Sequence, residues 1–186
     1  MKIMRVLRIV LLLALAGSPA AAQDRWFHLR VNHQDGSENE VSINLPLGVV
    51  TAALSAAPAN PCRARCRMEL GGARVTMGDL RRVNAHLEAY PAGGVAVIRE
   101  GVELRFRREG GELVTAFDEH CGKSGEIRMP AALASALSSG PNQSANLRAA
   151  AAYLQTSGAG EILLVGADDS NVRMWVDADP SGRRSW

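Results

Sequence analysis

Two stretches of this chain follow one plan. Residues 39–54 read NEVSINLPLGVVTAAL and residues 123–137 read KSGEIRMPAALASAL. Each has a short alternating run, an apolar residue before proline (Leu45-Pro46, Met129-Pro130), and a small apolar stretch ending in leucine. Alternation is the period of a strand with one buried face. Proline has no N–H to give the ladder, and its fixed φ suits the first turn of a helix. Neither Leu45 nor Met129 has a capping side chain. The pattern predicts, twice, a strand that switches directly into a helix at a buried corner.

The surrounding residues extend the correspondence. Phe27, Leu29 and Val31 alternate with Trp26, His28 and Arg30, and after Gln34-Asp35-Gly36-Ser37 the residues Val41, Ile43 and Leu45 alternate in turn, which predicts a hairpin. Leu47–Ala56 reads as a short helix and 57–75 as irregular loop. Asp79 can cap a helix beginning at Leu80, with Leu80, Val83 and Leu87 on one stripe. Val95–Ile98 and the alternating Val102, Leu104 and Phe106 then read as two strands. From Gly110-Gly111 onward the order returns. Leu113–Phe117 and Glu126–Met129 read as strands, Ala131–Ser138 as a helix, and Asn146 caps a helix with Leu147, Ala150 and Leu154 on its stripe. Ile162–Val165 answers Val95–Ile98, and Val172, Met174 and Val176 answer Val102, Leu104 and Phe106.

The expected fold class is α+β: a tandem duplication of a strand-strand-helix-helix-strand-strand unit, mainly antiparallel, with helices on one face of the sheet. The units are joined by RFRREGGELVTAF, where Glu-Gly-Gly-Glu is a hairpin signal. The last strand of the first unit should therefore pair with the first strand of the second. The organisation is then 1–22 as a signal peptide, 23–108 and 109–180 as two units of one pseudo-symmetric domain, and 181–186 as a tail, with Pro180 to Trp186 frayed.

Residues 1–22 read as a secretory signal. Lys2, Arg5 and Arg8 precede the apolar run Ile9–Ala16, and Ala20-Ala21-Ala22 fits a small-residue cleavage site. Cleavage near Ala22 predicts a periplasmic or secreted protein, with membrane attachment only through an uncleaved signal. The charge argument changes with it. The whole chain has 21 Lys+Arg and 19 Asp+Glu, but the three basic residues of the signal leave the mature chain near net −1. That removes the basic footprint a nucleic-acid partner would require.

No catalytic signature is present. Gly122-Lys123-Ser124 lacks the earlier glycine of a phosphate-binding loop, which would fall at Phe117. Asp168-Asp169 and Asp177/Asp179 lack the calcium-loop pattern. Cys62, Cys66 and Cys121 are an odd set for an oxidising compartment, so at least one is unpaired within the chain. Cys62-Arg-Ala-Arg-Cys66 could draw on Cys121 and His120 for zinc. A disulfide or an idle thiol is the plainer reading in that compartment. On a strand, His120 and Cys121 point to opposite faces, which argues against a dyad. No metal, cofactor or catalytic residue is expected.

The outward strand positions carry Arg30, Arg105, Arg107, Arg128, Arg173 and Trp175, along with His28, Ser42, Asn44, Glu103 and Glu126. Arginine and an exposed indole are common anchors of binding surfaces. A solvated face laced with cross-strand Arg–Glu pairs is the plainer alternative. The functional expectation is a non-enzymatic binding module whose partner is another envelope protein or an anionic polymer. The rivals are a thiol- or metal-dependent enzyme built on the three cysteines and a self-associating structural module. Oligomeric state is left open.

Trp26, His28, Arg30 and Val31, followed by Ile43 to Val50, resemble a class of uncharacterised bacterial α/β proteins in which a hairpin ending in Leu-Pro-Leu leads into a short helix. The second unit carries only Met129-Pro130 of that phrase. The resemblance implies the strand-to-helix corner and no activity.

Overall fold

A computed structural model describes residues 25–33, 41–58, 67–119, 124–141, 144–167 and 170–182. Residues 1–22, all three cysteines, His120 and Asp168-Asp169 lie outside these residues. In chain order the elements are β1 (Trp26–His33), β2 (Val41–Pro46), α1 (Leu47–Ala56), β3 (Arg67–Leu70), β4 (Ala73–Thr76) and α2 (Met77–Ala89). They continue with β5 (Gly94–Arg99), β6 (Val102–Glu109), β7 (Glu112–Glu119), β8 (Ser124–Pro130) and α3 (Ala131–Ser138). The last are α4 (Leu147–Thr156), β9 (Gly160–Ala167) and β10 (Ser170–Asp177). The protein is α+β. Eight strands form one sheet in the order β2-β1-β10-β9-β8-β7-β6-β5, and each neighbouring pair is antiparallel.

Both proline corners form as strand-to-helix switches. The first helical N–H of α1, on Leu47, donates to Arg25 O at 2.9 Å, and that of α3, on Ala131, donates to Gly111 O at 2.9 Å. Arg25 and Gly111 immediately precede β1 and β7. An adjacent strand's backbone thus satisfies a donor that helix starts leave orphaned, and neither corner has a side-chain cap. Gly110 and Gly111, with φ of 56° and 89°, make the tight β6–β7 hairpin expected from Glu-Gly-Gly-Glu.

Two local expectations are corrected. Residues 67–76 form the β3–β4 hairpin, not irregular loop, turning at Gly71-Gly72. Its strands are four residues each, too short to show alternation, yet Leu70, Ala73 and Val75 are buried. The second helix starts at Met77, and its N-cap is Thr76 rather than Asp79. Asp79 closes a capping box: Thr76 Oγ1 accepts from Asp79 N at 3.1 Å, and Asp79 Oδ2 accepts from Thr76 N at 2.9 Å. Asn146 caps α4 as expected, its Oδ1 accepting from Ala149 N at 3.0 Å.

On one face of the sheet a single register row runs Val95, Phe106, Thr115, Ile127, Val165, Val172, Val31, Val41. The helices pack on this face in the order α1-α4-α3-α2. Beneath them lie two cores. One joins Leu80, Val83 and Leu87 of α2 and Ala131 and Ala134 of α3 to Leu104, Phe106 and Leu113. The other joins Leu47 of α1, Leu133 of α3, and Ala150 and Leu154 of α4 to Ile162 and Val176. Both cores draw on both halves of the sequence. The run β2-β1-β10-β9 pairs the chain's first hairpin with its last, and β8-β7-β6-β5 pairs the two middle ones.

Candidate functional site

The other face carries the arginines. Register places Ser42, Arg30, Arg173, Leu164, Arg128, Val114 and Arg107 in one row. Arg105 stands in the next row, separated from Glu126 only by Ala116. All five arginines expected to face outward therefore share a face, because strand alternation sends the polar member of each pair away from the helices.

Arg105, Arg107, Arg128 and Arg173 are ion-paired. Arg107 bonds Glu109 at 2.6 Å and Glu126 at 2.8 Å, and Arg128 bonds Glu126 at 2.6 Å and Glu109 at 3.2 Å. Arg105 pairs with Glu103 at 2.8 Å, and Arg173 with Glu161 at 2.6 Å. For Glu126, partial burial would push its carboxyl up, but donation from Arg107 and Arg128 outweighs it and holds the group below its ordinary value. Arg107 does the same for Glu109. Val114, between Arg107 and Arg128 in the row, is fully buried, as expected where arginine stems lie over an apolar residue. Beside this lattice is an open recess of about 600 Å³ whose lining includes Glu103, Arg105, Asp118, Ser124, Glu126 and Asn171.

Trp175 departs from expectation. It is 1 % exposed and presents no indole to solvent. His28 stacks on it at 4.8 Å between ring centroids, and the guanidinium groups of Arg30 and Arg173 lie 5.8 and 5.6 Å from its ring. Its Nε1 donates to Asp177 Oδ2 at 2.9 Å. His28, 0 % exposed, has Nδ1 2.7 Å from Asn44 Oδ1 and Nε2 3.0 Å from Asp177 Oδ1. Both ring nitrogens are engaged inside the protein and the ring is closed to solvent.

The start of the expected tail closes this cluster. Asp177 Oδ1 also accepts from Asp179 N at 2.9 Å, and Gly182 N donates to Asp179 O at 3.3 Å in a turn. Gly182 is buried, and its carbonyl accepts from Arg30 at 3.2 Å. Gly182 has φ of 61°, and a Cβ there would lie 2.6 Å from both His28 Nδ1 and Asn44 Oδ1. Ser181 is tied into the turn by hydrogen bonds to Asp179 and Gly182 is buried, so this part of the expected tail is not frayed; 183–186 lie outside the described residues. Sequence reasoning placed His28, Asn44 and Trp175 outward but could not bring them together. They meet through β1·β10 pairing across nearly the whole chain.

Among the described residues no cluster of three or more His, Cys, Asp or Glu is placed to hold a metal ion, and no helix is long and apolar enough to cross a membrane. The cysteine centre cannot be placed, since Cys62, Cys66 and Cys121 lie outside those residues. No family model, curated protein or solved structure matches the chain.

Proposed function

We propose that this protein is an exported, non-enzymatic binding module of the cell envelope that meets another protein through its helix-free sheet face. The observation that supports the reading is the shared face of Arg30, Arg105, Arg107, Arg128 and Arg173 beside an open recess. A protein partner suits this face better than an anionic polymer. Glu103, Glu109, Glu126 and Glu161 already neutralise four of the guanidinium groups, so the surface offers alternating charge rather than a positive field. Trp175 has no contact role in this reading. Its burial makes it a support for Arg30 and Arg173.

The reading includes a tandem duplication. The two proline corners share a backbone hydrogen bond to the residue before the neighbouring strand, and both lead into helices on the same face. It also includes export with cleavage near Ala22, which N-terminal sequencing of the recovered protein tests; an intact Met1 would overturn cleavage, and recovery only from the cytoplasmic fraction would overturn export.

Binding is tested by tagging the protein, capturing partners from its native envelope fraction, and repeating with Arg105→Glu, Arg128→Glu and Arg173→Glu combined. We expect a specific partner to be lost, while Arg82→Glu, on the exposed side of α2, retains it. Equal recovery with the triple variant, folded by circular dichroism, would sink the proposal.

A further inference from the structure

Each edge strand of the sheet carries only one guarding residue, at its end: Pro46 on β2 and Arg99 on β5. Edge strands offer unpaired backbone groups, and folded proteins commonly protect them with lysine, proline or a bulge. Here β2 reads VSINL before Pro46 and β5 reads GVAVI before Arg99. Val41 and Ile43 on β2 are 51 % and 39 % exposed, although they point to the helix side, and Ile98 on β5 is 77 % exposed.

The molecule contains a template for covering them. In its middle, β8 pairs with β9, with Ile127 opposite Val165 and Glu126 opposite Gly166. Like β2, β8 runs through proline into a helix; like β5, β9 follows a helix and opens a hairpin. Ile127 and Ile43 both stand three residues before that proline. Counted from the hairpin turns, where Ala167 faces Ser170 and Arg99 faces Val102, Val165 corresponds to Val97 rather than to Ile98. Ile127, Val165 and Val97 point to the helix side, as Ile43 does.

The helix layer repeats the match. At the β8–β9 junction Leu133 and Leu137 of α3 pack with Ala150, Leu154 and Ile162 of the α4–β9 side. At the β5 end the corresponding place is a groove of about 540 Å³ between α2 and β5, whose apolar lining of Val83, Val95, Val97 and Phe106 is shared with the charged or polar Asp79, Arg82, His86 and Arg99. Val49 and Ala53 of α1 hold the places of Leu133 and Leu137, three and seven residues past the proline.

We infer that the occupant of this groove and edge is a second copy of the chain. β2 of one copy adds antiparallel to β5 of the next, Ile43 facing Val97 and Ser42 facing Ile98, with α1 seated against α2. The contact is heterologous, so each copy added leaves one free β2 and one free β5; assembly grows as a filament or closes as a ring. On the helix-free face this contact adds the edge pair Ser42 and Ile98, beyond the Arg107–Glu126–Arg128 lattice.

The test uses sedimentation or light scattering of the purified protein against concentration, with two edge variants. One carries Val41→Lys and Ile43→Lys, the other Ile98→Lys and Val97→Lys. We expect the unaltered protein to associate with rising concentration and each variant alone to stay monomeric. An equimolar mixture should form a heterodimer and no larger species, since each variant keeps one intact edge. Amide exchange on the unaltered protein gives a readout that needs no variant. Amides of 41–45 and 94–99 should slow about tenfold or more in the associated state. A monomer at every concentration, association that survives in either variant alone, a mixture without heterodimer, or unchanged exchange at both edges would overturn the proposal.

Discussion

The helix-free face has two ends built from the same residue types that behave differently. Around β6, β7 and β8, Arg107 and Arg128 bridge Glu109 and Glu126 in the open, with side chains 37 % and 33 % exposed. Around β1, β2 and β10, Arg30 and Arg173 flank Trp175 and His28, and the turn at Asp179–Gly182 is laid over them. Water screens the first group, so its ion pairs contribute little. In the second, the buried ring nitrogens of His28 and Trp175 bond particular partners, Asn44 and Asp177, and removing His28 leaves Asn44 Oδ1 without its ring partner. The open end can exchange its pairs for a partner's; the closed end is a small third core on the outer side of the sheet.

The sharpest way to break this contrast is Trp175→Ala. If the closed end is core, the change costs about 3–5 kcal/mol in a denaturant titration; a cost below about 1 kcal/mol would make it surface after all. His28→Leu tests the polar part. It removes the ring partner of Asn44 Oδ1 and one of the partners of Asp177 Oδ1, and we expect a loss of about 1–3 kcal/mol with a red shift in indole emission as the turn loosens. An unshifted spectrum at native stability would remove His28 from the cluster.

A third test lies on the helix side, at Asp79. Partial burial would raise its carboxyl, but hydrogen bonds from Arg99 and from Thr76 outweigh that and hold it well below the ordinary carboxylate range. A depressed folded-state value means the group stabilises the fold above its unfolded value, near 4, and that this contribution fades as pH falls below it. Asp79→Ala should cost about 1–2 kcal/mol at neutral pH and flatten the stability curve below pH about 4. An unchanged acid limb would show that Asp79 is not the responsible group.

The smallest effect belongs to the open end. A double-mutant cycle on Arg128 and Glu126 should give a coupling of about 0.2–1 kcal/mol, reduced further at high salt. A coupling several times larger would erase the difference between the two ends.

Much of the fold was legible locally. The proline corners, the Asn146 cap, the Gly110-Gly111 hairpin and the facing of every outward arginine follow from period and backbone chemistry within a few residues. The β3–β4 hairpin was obscured by its four-residue strands, and Asp79 was mistaken for a cap because both partners of a capping box carry cap-like side chains. The tertiary structure decided the rest, through pairings between residues far apart in the chain. It set β1 beside β10, which buried Trp175 against His28 and drew residues 180–182 over them. It also divided each half of the sequence between two cores. Alternation tells a residue which face it occupies, because that depends only on its neighbours in the chain. Whether the face is wet or dry at that point depends on which strand arrives beside it, and no local pattern carries that information.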